Sequence, residues 1–344
     1  MTRAKAATAR GRTAYLVLGM HRSGTSATAQ LLALAGAQLP RNVMPGDSHN
    51  AKGYFEPWKI AMFNDQRLRA AGGAWDDVFA FPHRALPRPS ERDWLTRAGA
   101  LVAEEFPKRA RPLLKDPRIT ALLPFWREVL DDQAVAARCV ISVRHPLAVA
   151  GSLARRDGFE IEKSLLLWSA YMLAAEAYTR DLPRVFVDYD RMLADWRGEF
   201  ARIESALGPG LPPLKASAIK AIDGFLTPDL RHNAAGPTLN AHGWVGELTA
   251  SVQSWCAAAA IDQALSAQPL ESAGAELLRR REAIGALISP TARDLDSARA
   301  ELVELRQSEA FHRKRAETIA AELEGLQAEQ AEALALVNSI LTRA

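Results

Sequence analysis

Four short apolar runs, Ala14 to Leu18, Arg111 to Leu114, Cys139 to Val143 and Val185 to Val187, show no alternation and are separated by stretches of helical spacing. Strands covered on both faces by helices read in this way. A chain organised like this belongs to the α/β class, with a parallel sheet and right-handed helical crossovers. The clearest helix starts near Met192: Met192, Trp196, Phe200, Ile203 and Leu207 recur at three- and four-residue steps, with Asp190 as a candidate N-cap and Gly208 as a stop. In such sheets ligands bind beyond the carboxyl ends of the strands. Functional residues are therefore sought immediately after each apolar run.

Composition narrows the function. The chain has 344 residues, 48% of them hydrophobic, which is enough for a sizeable core. Forty-three basic residues against forty acidic ones leave a net charge of +3, too balanced for general nucleic-acid binding, so any anion site is local. Two cysteines, Cys139 and Cys256, exclude a disulfide framework and a Cys-based zinc module, and the histidines show no metal-ligand spacing. The run Ala14 to Met20 is too short for a secretory signal, and Leu165 to Ala175 falls short of the ~20 residues that span a bilayer. The expectation is a soluble, cytoplasmic protein with no transmembrane segment. Its basic tail, residues 1–12, is expected to be disordered and to precede a globular domain over residues 13–289.

The first run leads into Gly19-Met20-His21-Arg22-Ser23-Gly24-Thr25-Ser26, followed by a helix with Ala27, Leu31, Leu34 and Ala35 on one face. Gly19 and Gly24 have the spacing of a phosphate-binding P-loop, with Ser26 in its Ser/Thr position. Glycines let successive N–H groups converge on one anion, and the helix N-terminus adds its positive end. Thr25 stands where a nucleoside-triphosphatase carries lysine, and the cation has moved to Arg22. After the third run, Arg144 precedes a helix that carries Ser152, eight residues on. An Arg fork and a nearby hydroxyl suit a phosphate, whereas the structural alternative pairs Arg144 with Asp157.

Together these segments resemble the sulfotransferases that use 3′-phosphoadenosine 5′-phosphosulfate (PAPS), over roughly Thr13 to His232. His21-Arg22-Ser23-Gly24-Thr25-Ser26 is similar to the family's 5′-phosphosulfate loop, and Arg144 and Ser152 match its 3′-phosphate pair. The resemblance implies a P-loop-type parallel sheet flanked by helices, PAPS as sulfuryl donor without a metal, and donor contacts from Arg22, Ser23, Gly24, Thr25, Ser26, Arg144 and Ser152. Val185 to Asp190 resembles a strand whose tyrosine lies beside the adenine, which makes Tyr189 a candidate contact or else a core tyrosine. Phe225 to His232 also resembles bacterial members without an assignable role.

Sulfuryl transfer needs a base near the acceptor and fixed cations near the leaving group. Arg22 is one such cation. Lys115 is the second, in Leu114-Lys115-Asp116-Pro117-Arg118, which resembles a Lys-Asp-Pro motif of several branches; the alternative is that Lys115 and Asp116 pair with neighbours. For the base, Gly53-Tyr54-Phe55-Glu56 resembles a bacterial segment and favours Glu56, with His49 and Asp116 as rivals and a surface ion pair as the plain alternative. His21 reads as a packing or hydrogen-bonding residue. The pattern implies a hydroxyl acceptor, on a carbohydrate or glycolipid. A P-loop nucleotide-dependent kinase and a non-catalytic scaffold on a nucleotide-binding fold are the rival readings.

From Leu295 a heptad runs unbroken, with Leu295, Leu302, Glu309, Ala316, Leu323, Gln330 and Val337 at a. Ala298, Leu305, His312, Ile319, Leu326, Ala333 and Ile340 fall at d. This pattern predicts a C-terminal coiled-coil helix over residues 290–344, begun by Ser289-Pro290, of which Pro290 to Leu341 would reach about 75 Å at ~1.5 Å per residue. Such a helix could form a homodimer, bind a partner protein or fold back.

Overall fold

The structure is a computed structural model that describes residues 11–46, 50, 52–107, 109–227, 238–263 and 265–341. Strand β1 (Thr13–Leu18) turns into α1 (Thr25–Leu34); α2 (Trp58–Ala70) and α3 (Arg88–Glu105) lead to β2 (Leu113–Lys115). Helices α4 (Pro117–Ala121) and α5 (Leu123–Asp132) precede β3 (Ala136–Val143), and α6 (Pro146–Asp157) and α7 (Ile161–Ala177) precede β4 (Arg184–Asp188). Then follow α8 (Tyr189–Ala194), α9 (Trp196–Leu207), α10 (Ala216–Phe225), α11 (Gly243–Ala259) and α12 (Gln268–Leu341).

The four strands pair in parallel in the order β2-β1-β3-β4. Leu16 lies opposite Leu114 on one side and Cys139 on the other, and Ile141 lies opposite Phe186. Successive side chains point to opposite faces. Leu16, Leu18, Cys139 and Ile141 join one buried cluster with α5, α7 and the first turns of α12, while Tyr15, Val17, Val140 and Val187 join a second with α1 and α9. Both faces are covered, which is why the strands read as unbroken apolar runs. Because the chain leaves β1 for one side and returns on the other, the order reverses next to β1, where a ligand crevice opens in sheets of this type.

Three sequence expectations change in detail. The second strand starts two residues after Arg111, at Leu113, and ends one residue after Leu114, on Lys115. The segment from Met192 is two helices: Asp188 caps α8 by accepting from Arg191 N at 2.9 Å, and Asp195 caps α9 by accepting from Gly198 N at 3.0 Å. Asp190 caps neither, since a side-chain acceptor at Asp195 restarts the helix within the apolar period. The face itself is as read: Met192, Trp196, Phe200, Ile203 and Leu207 are all buried, each large side chain contributing ~1.5–3 kcal/mol. Gly208 ends α9 at φ +74°.

The third change concerns α12. It begins at Gln268 and passes through Pro290, so Ser289-Pro290 is not its first turn. A proline inside a helix removes one hydrogen bond at a cost of ~3 kcal/mol. Packing offsets this upstream, where Leu270, Ala273 and Leu277 are buried in the core and Arg84 Nη2 donates to Ser289 Oγ at 2.7 Å. The chain divides into a compact unit ending at Arg293 and a second beginning at Asp294. Within the second, Leu302, Leu305, Ile319, Leu323 and Leu326 are exposed. Among the described residues no helix is long and apolar enough to cross a membrane. Both cysteines are free and buried, and burial pushes the Cys139 thiol up to about 12, a packing role.

Candidate functional site

The carboxyl ends of all four strands contribute to one cavity of about 710 Å³. Six of its lining side chains are cationic (Arg22, Lys52, Lys115, Arg118, Arg144 and Arg156) against the two carboxylates of Glu56 and Asp157. Such an excess in a concave, partly dry site selects anions.

The loop after β1 is shaped by close approach. Gly19 has φ +129°, and a Cβ there would meet Ser142 O at 2.7 Å; its N–H donates to Thr120 Oγ1 at 2.9 Å. Gly24 has φ +86°, and a Cβ would lie 2.2 Å from the Tyr189 ring, so only glycine lets the tyrosine pack on the loop. Arg22 sits at φ +67°, a left-handed conformation that costs a non-glycine residue energy. Gly24, Thr25 and Ser26 line the cavity at the N-terminus of α1, where backbone N–H groups lack helical partners. Ser23 differs: its N–H is used by Met20 O at 3.2 Å, and its hydroxyl is buried with no hydrogen-bond partner among the described residues.

Arg22, Arg144 and Ser152 come together. Arg22 Nε donates to Ser152 Oγ at 2.8 Å, and Arg144 Nη1 donates to the Arg22 carbonyl at 3.1 Å. Asp157 pairs with Arg156 at 2.8 Å instead of Arg144, which removes the surface-pair alternative. The Arg144 guanidinium lies 4.8 Å from the centre of the Tyr189 ring. Burial lowers the pKa of Arg22, with the neighbouring charge of Arg156 next in weight, and burial also lowers that of Arg144. Both are cations whose charge a bound anion would relieve.

Arg118 is the contrast. Burial opposes its charge, yet Asp65, Asp116 and Glu56 hold its pKa well above the ordinary value. Its Nε donates to Asp65 at 2.5 Å and its Nη1 to Asp116 at 2.9 Å. Lys115, at the end of β2, donates to Glu56 Oε1 at 2.5 Å and to Ser26 Oγ at 3.3 Å. Glu56 is thus a buried member of an ion pair that touches the loop, not a surface glutamate.

The rival bases fare differently. Asp116 caps α4, accepts from Asn64 Nδ2 at 2.7 Å and does not line the cavity. His49 lies outside the described residues, as do residues 228–232 of the segment after Phe225. His21 packs 4.6 Å from the Trp75 ring. Burial first, then Arg118, Arg156, Lys115 and Arg22, hold its pKa well below the usual histidine range, so it is neutral at pH 7.

Trp75 and Arg156 line the cavity without having been singled out in the sequence. Arg156 was legible in principle, one turn after Ser152 on the same helix face. Trp75 sits in a segment without periodicity, and its place depends on distant contacts.

No group of three His, Cys, Asp or Glu residues that could hold a metal ion occurs among the described residues. No family model and no curated relative matches the chain. Solved structures similar to it include two sulfotransferases. The sulfotransferase domain from the Synechococcus PCC 7002 olefin synthase is 16% identical, covering 79% of this chain and 96% of that one, with a TM-score of 0.38. Sulfotransferase STF1 from Mycobacterium tuberculosis H37Rv is 15% identical, covering 71% of this chain and 77% of its own, with a TM-score of 0.43.

Proposed function

We propose that this protein is a sulfotransferase that moves the sulfuryl group of PAPS to a hydroxyl on a carbohydrate or glycolipid. The observation that carries this reading is the joining, in one cavity, of the loop after β1, which has Thr25 at the lysine position and its cation at Arg22, to a second arginine stacked on a tyrosine. A donor with a phosphate on each side of its ribose uses both the loop after β1 and an arginine from the end of β3, whereas a triphosphate needs only the loop. The orphaned Ser23 hydroxyl and the α1 N-terminus, which has no side-chain cap, fit a bound anion.

When bound, the donor supplies an activated sulfuryl group. The N–H groups of Gly24, Thr25 and Ser26 and the side chains of Arg22, Ser23 and Ser26 hold the phosphosulfate. Arg144 and Ser152 hold the 3′-phosphate, and Tyr189 lies beside the adenine. Lys115 and Arg22 offset the charge that grows on the leaving phosphate oxygen. Glu56 takes the proton of the attacking acceptor hydroxyl. Its pairing with Lys115 supports this order, because an anion at Ser26 competes for the ammonium and releases the carboxylate.

The test is calorimetric titration of the full chain with 3′,5′-adenosine bisphosphate and with ATP, each with and without Mg²⁺. Metal-independent preference for the bisphosphate is expected. Preference for ATP with Mg²⁺ replaces the proposal with a kinase, and binding of neither supports a scaffold.

A further inference from the structure

Beyond the residues assigned above, the cavity has a second polar wall. Arg156 Nε donates to Asp157 Oδ2 at 2.8 Å, and its guanidinium lies 5.3 Å from the centre of the Trp75 ring. Trp75 is fixed in turn by stacking on Phe159 at 5.7 Å. Two contacts therefore lock the Arg156 plane, while its two Nη groups have no hydrogen-bond partner among the described residues. Beside it, His21 is 7% exposed, lines the same cavity and has an Nε2 with no hydrogen-bond partner among the described residues.

A pre-oriented guanidinium fork with both terminal nitrogens open matches a planar or tetrahedral anion. Arg156 does not share the ring that Arg144 uses: one guanidinium lies on Trp75, the other on Tyr189. Yet Arg156 shares the Trp75 ring with His21, which packs 4.6 Å from it and directly precedes Arg22 in the loop assigned to the phosphosulfate. An anion on Arg156 would thus sit on the cavity wall that His21 and Trp75 line, bordering the loop end at Arg22.

We infer that the acceptor is an anionic sugar, whose carboxylate or phosphate is held by Arg156 while His21 and Trp75 border the hydroxyl that is sulfated. This rests on the sulfotransferase reading and names its substrate class. His21, surrounded by cations and neutral, offers that hydroxyl a hydrogen-bond partner without adding charge. Asp157 sets the orientation of the fork through Nε and leaves the Nη edge to the ligand.

The experiment uses the full chain saturated with 3′,5′-adenosine bisphosphate and measures binding of methyl glucuronide, glucose 6-phosphate and methyl glucoside by saturation-transfer NMR. One or both anionic sugars are expected to bind about 10- to 100-fold more tightly than the neutral glucoside. The stronger of the two identifies carboxylate or phosphate as the anion. Arg156→Gln is expected to bring the anionic and neutral sugars within about two-fold of each other while bisphosphate affinity stays within the same range, and Arg156→Lys is expected to restore part of the preference. Equal binding of charged and neutral sugars by the native chain, or no binding of either anionic sugar, overturns the inference without recourse to a variant. A large loss of bisphosphate affinity in a folded Arg156→Gln also overturns it, because the arginine would then serve the donor. Failure of the native chain to bind the bisphosphate at all refutes the sulfotransferase reading instead, so the two failures are distinct.

Discussion

Lys115 Nζ and Glu56 Oε1 lie 2.5 Å apart, with side chains only 2% and 6% exposed. Each neutralises the other inside the protein, and the pair sits one contact from the loop at Ser26. Removing one partner leaves a buried charge, which typically costs ~3–5 kcal/mol. Glu56→Gln is therefore expected to unfold at lower denaturant concentration, with part of the loss recovered by 3′,5′-adenosine bisphosphate, whose phosphate offers Lys115 a new anion. The same variant should lose turnover by ~10²–10⁴ as a missing base does and bind the bisphosphate at least as tightly as the native chain. Normal turnover would assign the proton to another group.

Arg144 and the 3′-phosphate form the second expectation. Arg144→Ala should weaken the bisphosphate by ~2 kcal/mol or more, the loss of a charge-assisted contact. Adenosine 5′-phosphate, which lacks the 3′ group, should then bind variant and native chain almost equally. Full additivity of the two losses in calorimetry would show that Arg144 does not hold that phosphate.

One buried and two half-buried histidines make stability fall in mild acid. Burial lowers the pKa of His21, His83 and His145 from the ordinary value of 6.5, most strongly for His21, where Arg118, Arg156, Lys115 and Arg22 add to it. The unfolded chain then takes up the proton first. The stability these groups contribute is complete above about pH 6.5 and falls as pH drops toward the folded values. Each such group adds at most ~1.4 kcal/mol per pH unit in that window. Urea unfolding at pH 7 and pH 5 should show the loss, and His21→Gln should reduce its slope by about one proton. An unchanged slope would mean that His21 protonates normally in the fold.

The sequence reveals most where a single local rule governs. The four strands are legible because two covered faces demand apolar residues at every position. Arg144 and Ser152 are legible because eight residues from strand end into helix bring both near one loop. The failures arise where a non-local contact or a competing local bond decides. Asp195 splits a helix whose apolar period is unbroken, because its carboxylate captures the Gly198 N–H. Pro290 does not begin a helix, because core packing of Leu270, Ala273 and Leu277 starts that helix earlier. Asp116 reads as a rival base or a paired carboxylate in its motif, and Asn64 and Arg118 occupy it as in the second alternative.

The course of α12 also fixes where the chain can be cut. Ending it at Ser289 would cut between two turns of the first compact unit, whereas ending it after Arg293 leaves that unit whole. Bisphosphate affinity should then be unchanged, since every assigned donor contact lies before residue 190. Self-association should not survive the same cut. Leu302 and Leu323 at a, and Leu305, Ile319 and Leu326 at d, are exposed in a single chain, and burying each against a second copy gains ~1.5–3 kcal/mol. In a parallel pair Glu301 at g also faces Arg306 at e of the other helix, an attractive arrangement. Sedimentation should therefore find the full chain dimeric and the chain ending at Arg293 monomeric. Glu309 and His312 interrupt the seam, so Glu309→Leu with His312→Leu should tighten the dimer by about tenfold or more. A cut chain that stays dimeric would place the interface before Arg293, and a full chain that remains monomeric even with both leucines would leave the heptad face to a partner protein.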